Sequence, residues 1–248
     1  DPLAEGDYRL TIYGSAGHSI RDLAGNKLDG DGDGVAGGDY QRLFTVDSAP
    51  AITNVTVNGG LEQRSNLSLI ELTFDEATNI ETLIGKGSIT SVVQLVRTTH
   101  GGGVLKLTAA HFTWNKATNT LSIDLTSDGF GGSGETMLSD ARYELQINTS
   151  MITDSAGNAM EDSDGTPDGV LTVDRSTGSE TQDLFRLAGD ANGDAVVDEI
   201  DLAILQAAYL FAPNSDEWDE NADLNGDGTI NVFDAWMLAW NYGNDLDE

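Results

Sequence analysis

The sequence has no cysteine, and its 12 lysine and arginine residues are outnumbered by 42 aspartate and glutamate residues. Without cysteine the chain can form neither disulfide bonds nor thiolate metal sites. A formal net charge of -30 opposes compaction unless cations neutralise part of it, and it excludes nucleic acid and anionic membrane surfaces as partners. No apolar run approaches the roughly 18 residues that cross a bilayer, so membrane insertion is not expected.

Signals for catalysis are also missing. His18, His100 and His111 have neither metal-ligand spacing nor a nearby nucleophile pattern. The glycine-rich segments 101–103 and 129–134 lack the lysine and the serine or threonine of a phosphate-binding loop. The chain is therefore predicted to be non-catalytic.

The sequence does contain one acidic twelve-residue pattern in two copies, loop 1 (190–201) and loop 2 (223–234). A calcium loop takes oxygen ligands from positions 1, 3, 5, 7, 9 and 12, with a backbone carbonyl at position 7 and a tight turn at position 6. Both copies fit this register, which predicts one Ca²⁺ ion in each. The predicted ligands are Asp190, Asn192, Asp194, the Val196 carbonyl, Asp198 and Asp201 in loop 1, and Asp223, Asn225, Asp227, the Thr229 carbonyl, Asn231 and Asp234 in loop 2.

Each loop is followed by apolar residues at helical spacing, which predicts helices over 200–211 and 233–242. Position 8 is apolar in both loops, as Val197 and Ile230, and predicts a short two-stranded contact between the loops. At position 6, loop 1 has Ala195, for which a left-handed turn costs roughly 1 kcal/mol. Since loop 1 also has one more carboxylate than loop 2, the order in which the sites fill stays open.

These duplicated loop-helix units, with Asp at position 12, resemble a type I-like dockerin, the module through which secreted proteins bind to cohesin receptors. The resemblance covers about residues 180–248. It implies a small all-α, EF-hand-like fold, calcium binding by the side chains named above, and a cohesin-like protein domain as partner.

Positions 10 and 11 of the two loops are the candidate partner-binding residues. They are Glu199, Ile200, Val232 and Phe233. Dockerins that serve cellulosomal scaffolds often carry a Ser-Thr pair there, so a different partner is expected, and the apolar pair favours the second helix. The alternative is that Phe233 and Trp236 only fill the core, where Trp240 also fits.

Residues 48–176 contain short runs of period two or of β-branched residues, separated by Gly, Asn and Asp clusters. These runs include 52–57, 67–74, 89–96, 120–125 and 143–147. Their spacing predicts an all-β sandwich. The segments Leu67–Asp75 and Asp154–Asn158 resemble bacterial Ig-like repeats of secreted and surface proteins.

Residues 1–47 repeat the end of this pattern, since Tyr8–Ile12 matches Tyr143–Ile147 and Ile20–Asn26 matches Ile152–Asn158. They are predicted to be the C-terminal part of an Ig-like repeat. Two or three strands alone are marginal in water, so this part packs on the complete domain or pairs with a missing half. Because residues 1–47 match only the end of the repeat, the chain is expected to be a piece of a longer secreted protein.

The 29–39 loop holds a candidate third calcium site at Asp29, Asp31 and Asp33. Its spacing reproduces the first half of a calcium loop, and Asp39 or Asp22 is the candidate closing ligand. The alternative is a solvated acidic turn.

The sequence therefore predicts a multidomain, non-catalytic C-terminal region of a secreted or extracellular protein. A calcium-ordered dockerin-like module docks onto a cohesin-type receptor, and Ig-like domains act as the spacer. A catalytic domain upstream, such as a polysaccharide-degrading hydrolase, is suggested by the habit of the family alone. The alternative function is a calcium-rigidified structural or adhesive segment of a cell-surface protein with no cohesin partner.

Overall fold

The computed structural model of the chain describes residues 3–15, 17–99, 101–126, 138–162, 165–167, 169–173 and 184–246. The chain divides into two compact units, Asp1–Ser48 and Ala49–Glu248. The predicted domain boundaries at residues 176 and 180 lie outside the described residues, so the division of the second unit into two domains stays a prediction.

The first unit contains a two-stranded antiparallel sheet of β1 (Gly6–Ile12) and β2 (Tyr40–Val46). The ring of Tyr8 stacks on that of Phe44 across the two strands, with centroids 5.7 Å apart. Leu43 is exposed. A pair of strands has too little apolar surface for a core of its own, and the assignment of this unit to a partial Ig-like repeat stays a prediction.

The second unit begins with two antiparallel sheets. Their strands are β3 (Ile52–Val57), β4 (Leu69–Phe74), β5 (Val93–Arg97), β6 (Gly103–Val104), β7 (Phe112–Asn115), β8 (Thr120–Asp124), β9 (Ala141–Asn148), β10 (Val170–Val173) and β11 (Phe185–Arg186). One sheet has the strand order β3-β4-β8-β7, and the other has the order β10-β9-β5-β6 with β11 also paired to β9.

Both sheets contribute to one hydrophobic core. Alternate residues of β9 are buried, as period-two strands require. Leu145 and Ile147 from β9 and Ile70 and Leu72 from β4 are fully buried in this core. The predicted β character of residues 48–176 is confirmed in outline, whereas the Ig-like assignment stays a prediction.

Two short helices, α1 (Ile80–Gly85) and α2 (Ile89–Val92), lie between β4 and β5. The prediction of one strand over 89–96 is therefore wrong, and this region is not purely β. Ile89 and Val92 are both buried in the core. Residues three apart share one face of a helix, so a single turn buries both of these β-branched side chains on the same side.

The last part of the second unit contains α3 (Glu199–Ala208) and α4 (Val232–Asn241) around a second core. This part is not purely helical, because β11 joins it to β9. Both helices have 10 residues. Within the described part of the chain, no helix is long and apolar enough to span a membrane.

Candidate calcium centre and binding face

The starts of α3 and α4 are fixed by positions 9 and 12 of the two loops. Asp198 accepts the Ile200 N–H at 2.7 Å through its side chain, and the equivalent Asn231 accepts the Phe233 N–H at 2.8 Å. In both copies the position-12 carboxylate accepts the N–H of position 9 at 2.8 Å, which completes a capping box.

The first helix is shorter than predicted, and the second has the predicted length but is displaced by one residue. They begin one residue earlier than the apolar spacing indicated, because position 9 is the N-cap. The first ends at Ala208 because Tyr209 has extended backbone and Leu210 has a φ of 64°. The second ends at Asn241, before Gly243 with a φ of 87°.

Position 1 organises the turn in each loop. The Asp190 carboxylate accepts the N–H groups of Gly193 at 2.6 Å and Ala195 at 3.0 Å. Asp223 likewise accepts the Gly228 N–H at 2.7 Å. Position 6 has φ of 70° at Ala195 and 82° at Gly228, so the expected left-handed turn is present in both.

Position 12 ties the end of each loop to its beginning. Asp201 accepts the Ala191 N–H at 2.7 Å, and Asp234 accepts the Leu224 N–H at 2.9 Å. Asp190, Asp201 and Asp234 are completely buried. Among the described residues, none of these three carboxylates forms an ion pair with a basic side chain. Buried charge of this kind needs a counter-charge.

The electrostatics of the loops differ from one carboxylate to the next. Burial raises the pKa of Asp190 to about 7, and burial raises the pKa of Asp201 and of Asp223. Asp227 behaves differently, since the hydrogen bond from the Thr229 hydroxyl lowers its pKa. A divalent cation bound in the loop would favour the ionised form of all these carboxylates.

The donor set of both loops fits Ca²⁺, which prefers six to eight oxygen ligands from carboxylates, amides and carbonyls. All predicted ligand positions lie within the described residues. The carboxylates are not gathered tightly, however, since neither loop brings three of them within 4.8 Å of one another. The ligand assignments in the two loops therefore stay predictions.

The two loops do not pair with each other through position 8, so that prediction is wrong. Val197 accepts the Gly243 N–H at 2.8 Å and donates to the Asn244 carbonyl at 2.9 Å. Ile230 accepts the Leu210 N–H at 3.1 Å. Each loop thus pairs with the segment that follows the opposite helix, while both position-8 side chains are buried in the shared second core.

The loop in the first unit has the same local geometry as the start of a calcium loop. The Asp29 carboxylate accepts the Gly32 and Gly34 N–H groups at 2.9 and 3.0 Å, the same offsets of three and five residues that Asp190 uses. Carboxylate oxygens of Asp29, Asp31 and Asp33 lie within 4.8 Å of one another on the surface.

Neither candidate closing ligand belongs to this three-carboxylate group. Asp39 accepts the Ser15 hydroxyl at 2.8 Å, and Asp22 accepts the side-chain amide and the backbone N–H of Asn26, both at 2.9 Å. These bonds lower the pKa of both carboxyls. Each carboxylate is used in a turn of its own, and closure of the site by Asp39 or Asp22 stays a prediction.

An apolar stripe lies on the outer face of α4. Val232, Phe233, Trp236 and Trp240 are 60%, 65%, 63% and 76% exposed, respectively. The two indole rings lie against each other with centroids 5.6 Å apart. The alternative that Phe233, Trp236 and Trp240 fill the core is therefore wrong. The inner face of α4 instead uses Leu238, with Ala235 and Met237 partly buried.

The same positions of α3 carry smaller or charged side chains. Glu199 and Ile200 are exposed and correspond to the first two residues of the stripe on α4. Ala203 and Ala207 stand where α4 has its two tryptophans, and both are exposed. All four candidate partner-binding residues are thus on the surface, and the apolar area is concentrated on α4.

A polar turn of the sheet region packs against residues 184–246, which contain the two loops and their helices and are here called the calcium module. No sequence pattern predicted this contact. Arg64 and Ser65 both donate their N–H groups to the Asp190 carbonyl at 3.0 Å. Both residues are buried. Nearby, Arg186 forms an ion pair with Asp140. Nothing in a run of polar residues between two strands distinguishes a buried turn from a solvated one.

Comparison with known proteins agrees with the module described above. Residues 188–240 match the family of the Dockerin type I domain, which is a non-catalytic module. No curated protein matches the chain.

Two solved structures have low overall similarity. The S-layer protein rSbsC(31-844) matches at 12% identity and a TM-score of 0.30, over 50% of this chain and 13% of that one. A C-terminal interface mutant of the type II Cohesin-X-Dockerin complex from Acetivibrio cellulolyticus matches at 11% identity and a TM-score of 0.23, over 63% of this chain and 83% of that one. These scores are too low to support a fold assignment.

Proposed function

We propose that the calcium module docks the chain onto a cohesin-type protein domain through the outer face of α4. The match to a Dockerin type I domain over residues 188–240 supports the class of partner. The exposed stripe of Val232, Phe233, Trp236 and Trp240 is the observation that carries the proposal. Exposed aromatic residues with an apolar neighbour are the side chains that dominate protein interfaces.

Calcium is the ordering cofactor of this function. One ion in each loop would neutralise the buried carboxylates at positions 1 and 12, which otherwise lie together without a basic partner among the described residues. With both loops ordered, α3 and α4 keep a fixed relation around the second core. The stripe on α4 is then presented as a rigid surface, which lowers the entropy cost of binding.

A third Ca²⁺ at Asp29, Asp31 and Asp33 is part of the proposal. Its support is the repetition of the position-1 hydrogen bonds of loop 1 in an unrelated part of the chain. Since its carboxylates are exposed, water molecules would complete the coordination, and its affinity would be weaker than that of the two loops.

The wider setting follows from the class of module. We propose that the chain is the non-catalytic C-terminal region of a secreted protein, in which residues 1–47 and 48–176 are Ig-like spacers. An upstream hydrolase acting on polysaccharide is the associated proposal for the parent protein. Attachment to the cell surface would occur through the cohesin-bearing receptor.

The second candidate function is a calcium-rigidified structural or adhesive segment with no cohesin partner. The packing of Arg64 and Ser65 against loop 1 favours it, because such packing stiffens the connection between the sheets and the calcium module. That packing leaves Val232 and Phe233 exposed, whereas a module used only as a structural cap has no need of an exposed aromatic stripe. Docking is therefore the better supported function.

The test is a pull-down from the secreted and envelope fractions of the source organism, with the full chain as bait in calcium and in excess chelator. Phe233→Asp is the disruptive variant and Ile200→Asp is its matched control on α3. We expect calcium-dependent capture of a protein that contains a cohesin domain, lost with Phe233→Asp and retained with Ile200→Asp. Calcium-induced folding without any capture would favour the structural function.

A further inference from the structure

One turn of the sheet region contacts both calcium loops at once. This turn, residues 61–66, lies between β3 and β4 and is here called the clamp loop. On the side of loop 1, Arg64 and Ser65 donate their N–H groups to the Asp190 carbonyl, both at 3.0 Å. Leu187 donates its N–H to the Arg64 carbonyl at 3.0 Å. Position 1 of loop 1 is thus held by backbone hydrogen bonds from outside the module.

On the side of loop 2, the clamp loop is held by one amide side chain. Glu62 and Gln63 donate their N–H groups to Oδ1 of Asn221 at 2.9 and 3.2 Å. Asn221 lies two residues before Asp223, the first predicted ligand of loop 2. The same six-residue turn is therefore tied to the beginning of both calcium loops.

Position 4 of each loop lies against the clamp loop as well. A Cβ atom on Gly193 would lie 2.3 Å from the Glu62 carbonyl oxygen, and one on Gly226 would lie 2.7 Å from Nδ2 of Asn66. At Gly193 the obstacle is backbone, which leaves no room for a side chain, whereas at Gly226 it is the end of a side chain that can shift. The clamp loop therefore approaches the backbone of the two loops at equivalent positions.

The clamp loop is itself rigid. Arg64 is 2% exposed, and its Nη1 donates to the carbonyls of Leu61, Glu62 and Gln63 at 2.8, 2.9 and 3.0 Å. Ser65 accepts the Gly189 N–H at 2.9 Å and donates to the sulfur of Met237 in α4 at 3.2 Å. Hydrogen bonds to a charged group are stronger than those between neutral groups, so this turn keeps its shape.

A rigid turn tied to two acidic loops changes the free-energy cost of calcium binding. Fixing the backbone of one residue costs about 1–2 kcal/mol, and a calcium loop has to order several residues around the ion. Where contacts hold part of the loop in the bound shape beforehand, less of the binding free energy is spent on ordering. In loop 1, the clamp loop contacts positions 1 and 4. In loop 2, it contacts position 4, and it also binds Asn221, which precedes the loop.

We propose that the clamp loop is a positioning element for the calcium centre, through which the sheet region raises the Ca²⁺ affinity of both loops. The inference rests on the proposed calcium binding of loops 1 and 2. By thermodynamic linkage, calcium in turn strengthens the attachment of the module to the sheets. The calcium module is consequently not independent of its neighbour, and its ion affinity is set in part by residues outside the region 188–240.

The test measures Ca²⁺ binding to the full chain by isothermal titration calorimetry, with Asn221→Ala and Ser65→Ala as the principal variants. Asn221→Ala removes the acceptor for two clamp N–H groups next to loop 2. Ser65→Ala removes the acceptor of the Gly189 N–H next to loop 1. We expect Asn221→Ala to weaken one of the two sites about tenfold, since each lost hydrogen bond contributes a factor of a few.

Two further variants separate positioning from general damage. Asn221→Asp keeps an oxygen acceptor at the same place and should restore most of the affinity. Asn214→Ala is the matched control. Asn214 is exposed, and its substitution makes the same change of residue type away from the clamp loop. Arg64→Ala should weaken both sites; if circular dichroism indicates that it does not fold, the Asn221 and Ser65 variants still decide the question.

A second readout uses hydrogen exchange in excess chelator. We expect the N–H groups of Glu62, Gln63 and Ser65 to be protected in the calcium-free wild-type chain and to exchange faster in Asn221→Ala. A Kd within twofold of wild type for Asn221→Ala and Ser65→Ala, or clamp N–H groups without protection before calcium is added, would overturn the proposal. A wild-type chain that binds no Ca²⁺ would instead refute the calcium function on which it rests.

Discussion

The two halves of the calcium module have the same loop chemistry and different surfaces. Positions 1, 9 and 12 make equivalent hydrogen bonds in both halves, down to the capping boxes that begin α3 and α4. Outside the loops the halves diverge, because α4 presents Phe233, Trp236 and Trp240 where α3 presents Ile200, Ala203 and Ala207. The two copies thus share the geometry of the loop and differ in the exposed face of the helix that follows it.

The halves also differ in how they meet the sheet region. The position-1 carbonyl of loop 1 accepts two N–H groups directly from the clamp loop. Loop 2 is reached through the side chain of Asn221, which precedes it. The half with the plain helix face is the one most closely joined to the sheets, and the half with the aromatic face is the one left available to a partner.

The largest expected effect comes from removing position 12, which tests whether the two ion sites are equivalent. Asp201→Ala and Asp234→Ala should each abolish one Ca²⁺ and lower the free energy of unfolding by roughly 3 kcal/mol or more, because buried N–H groups lose their acceptor. Calcium stoichiometry and urea unfolding, in calcium and in chelator, measure both effects. Exposed Asp216→Ala is the control, and unchanged stoichiometry in either variant would remove that loop from the calcium centre.

The next effect tests whether the two helix faces differ in function. Trp236→Ala should weaken binding to the cohesin-type partner at least about 30-fold, the loss typical of a buried interface tryptophan at roughly 2 kcal/mol. Ile200→Ala, on the equivalent face of α3, should change the Kd by less than threefold. Calorimetric titration of the captured partner measures both. Equal losses of affinity in the two variants would mean that the partner uses both helix faces, so that the two faces would not differ in function.

A smaller effect concerns position 6, where the backbone is the same and the surroundings differ. Gly228→Ala should cost about 1 kcal/mol, since alanine is strained at positive φ and the added methyl would touch nothing within 4 Å. Ala195→Gly should change the free energy of unfolding by less than about 0.5 kcal/mol, because relief of strain is offset by the loss of a methyl group buried in the second core. Urea unfolding in calcium distinguishes the two; a clear gain from Ala195→Gly would mean that the buried methyl contributes little.

The smallest effect concerns the residue that ends the turn after each helix. Leu210 has a φ of 64° and is 71% exposed, whereas glycine occupies the equivalent position 243. Leu210→Gly should therefore raise the free energy of unfolding by about 0.5 kcal/mol. The relief of backbone strain stabilises the folded state, and the greater entropy of glycine in the unfolded chain offsets part of that gain. Thermal unfolding measures the gain, and a loss of stability would indicate that the Leu210 side chain packs against something that matters.

The local features of the calcium module were predictable because they depend on short stretches of sequence. The spacing of Asp190 and Asp201 fixes the register of the loop, and the left-handed turn at Ala195 follows from that register. Even the helix start at Asp198 was implicit in the loop, although apolar spacing alone placed it later. The burial of every second residue along β9 was likewise evident from the period of two in its sequence.

Other features were not predictable, because the local pattern was compatible with two structures. The run 89–96 satisfies both a strand and one helical turn, and the core accepted the turn at Ile89–Val92. Pairing of Val197 with Gly243 depends on where the chain returns after α4. The surroundings of Asp39 also depend on a distant residue, since Ser15, 24 residues away in the chain, donates its hydroxyl to that carboxylate.

The sequence by itself determined the two oxygen-rich loops, the N-caps of the helices that follow them, and the alternation of the strands, since each depends on residues within about one loop or turn. Only the tertiary structure decided which face of α4 points outward. Its residues are apolar on both sides, and the inner side is chosen by the second core, where Leu238 packs and the aromatic stripe does not. The tertiary structure also made the clamp loop part of the calcium centre, because it brings Arg64 against Asp190 across 126 positions of the chain.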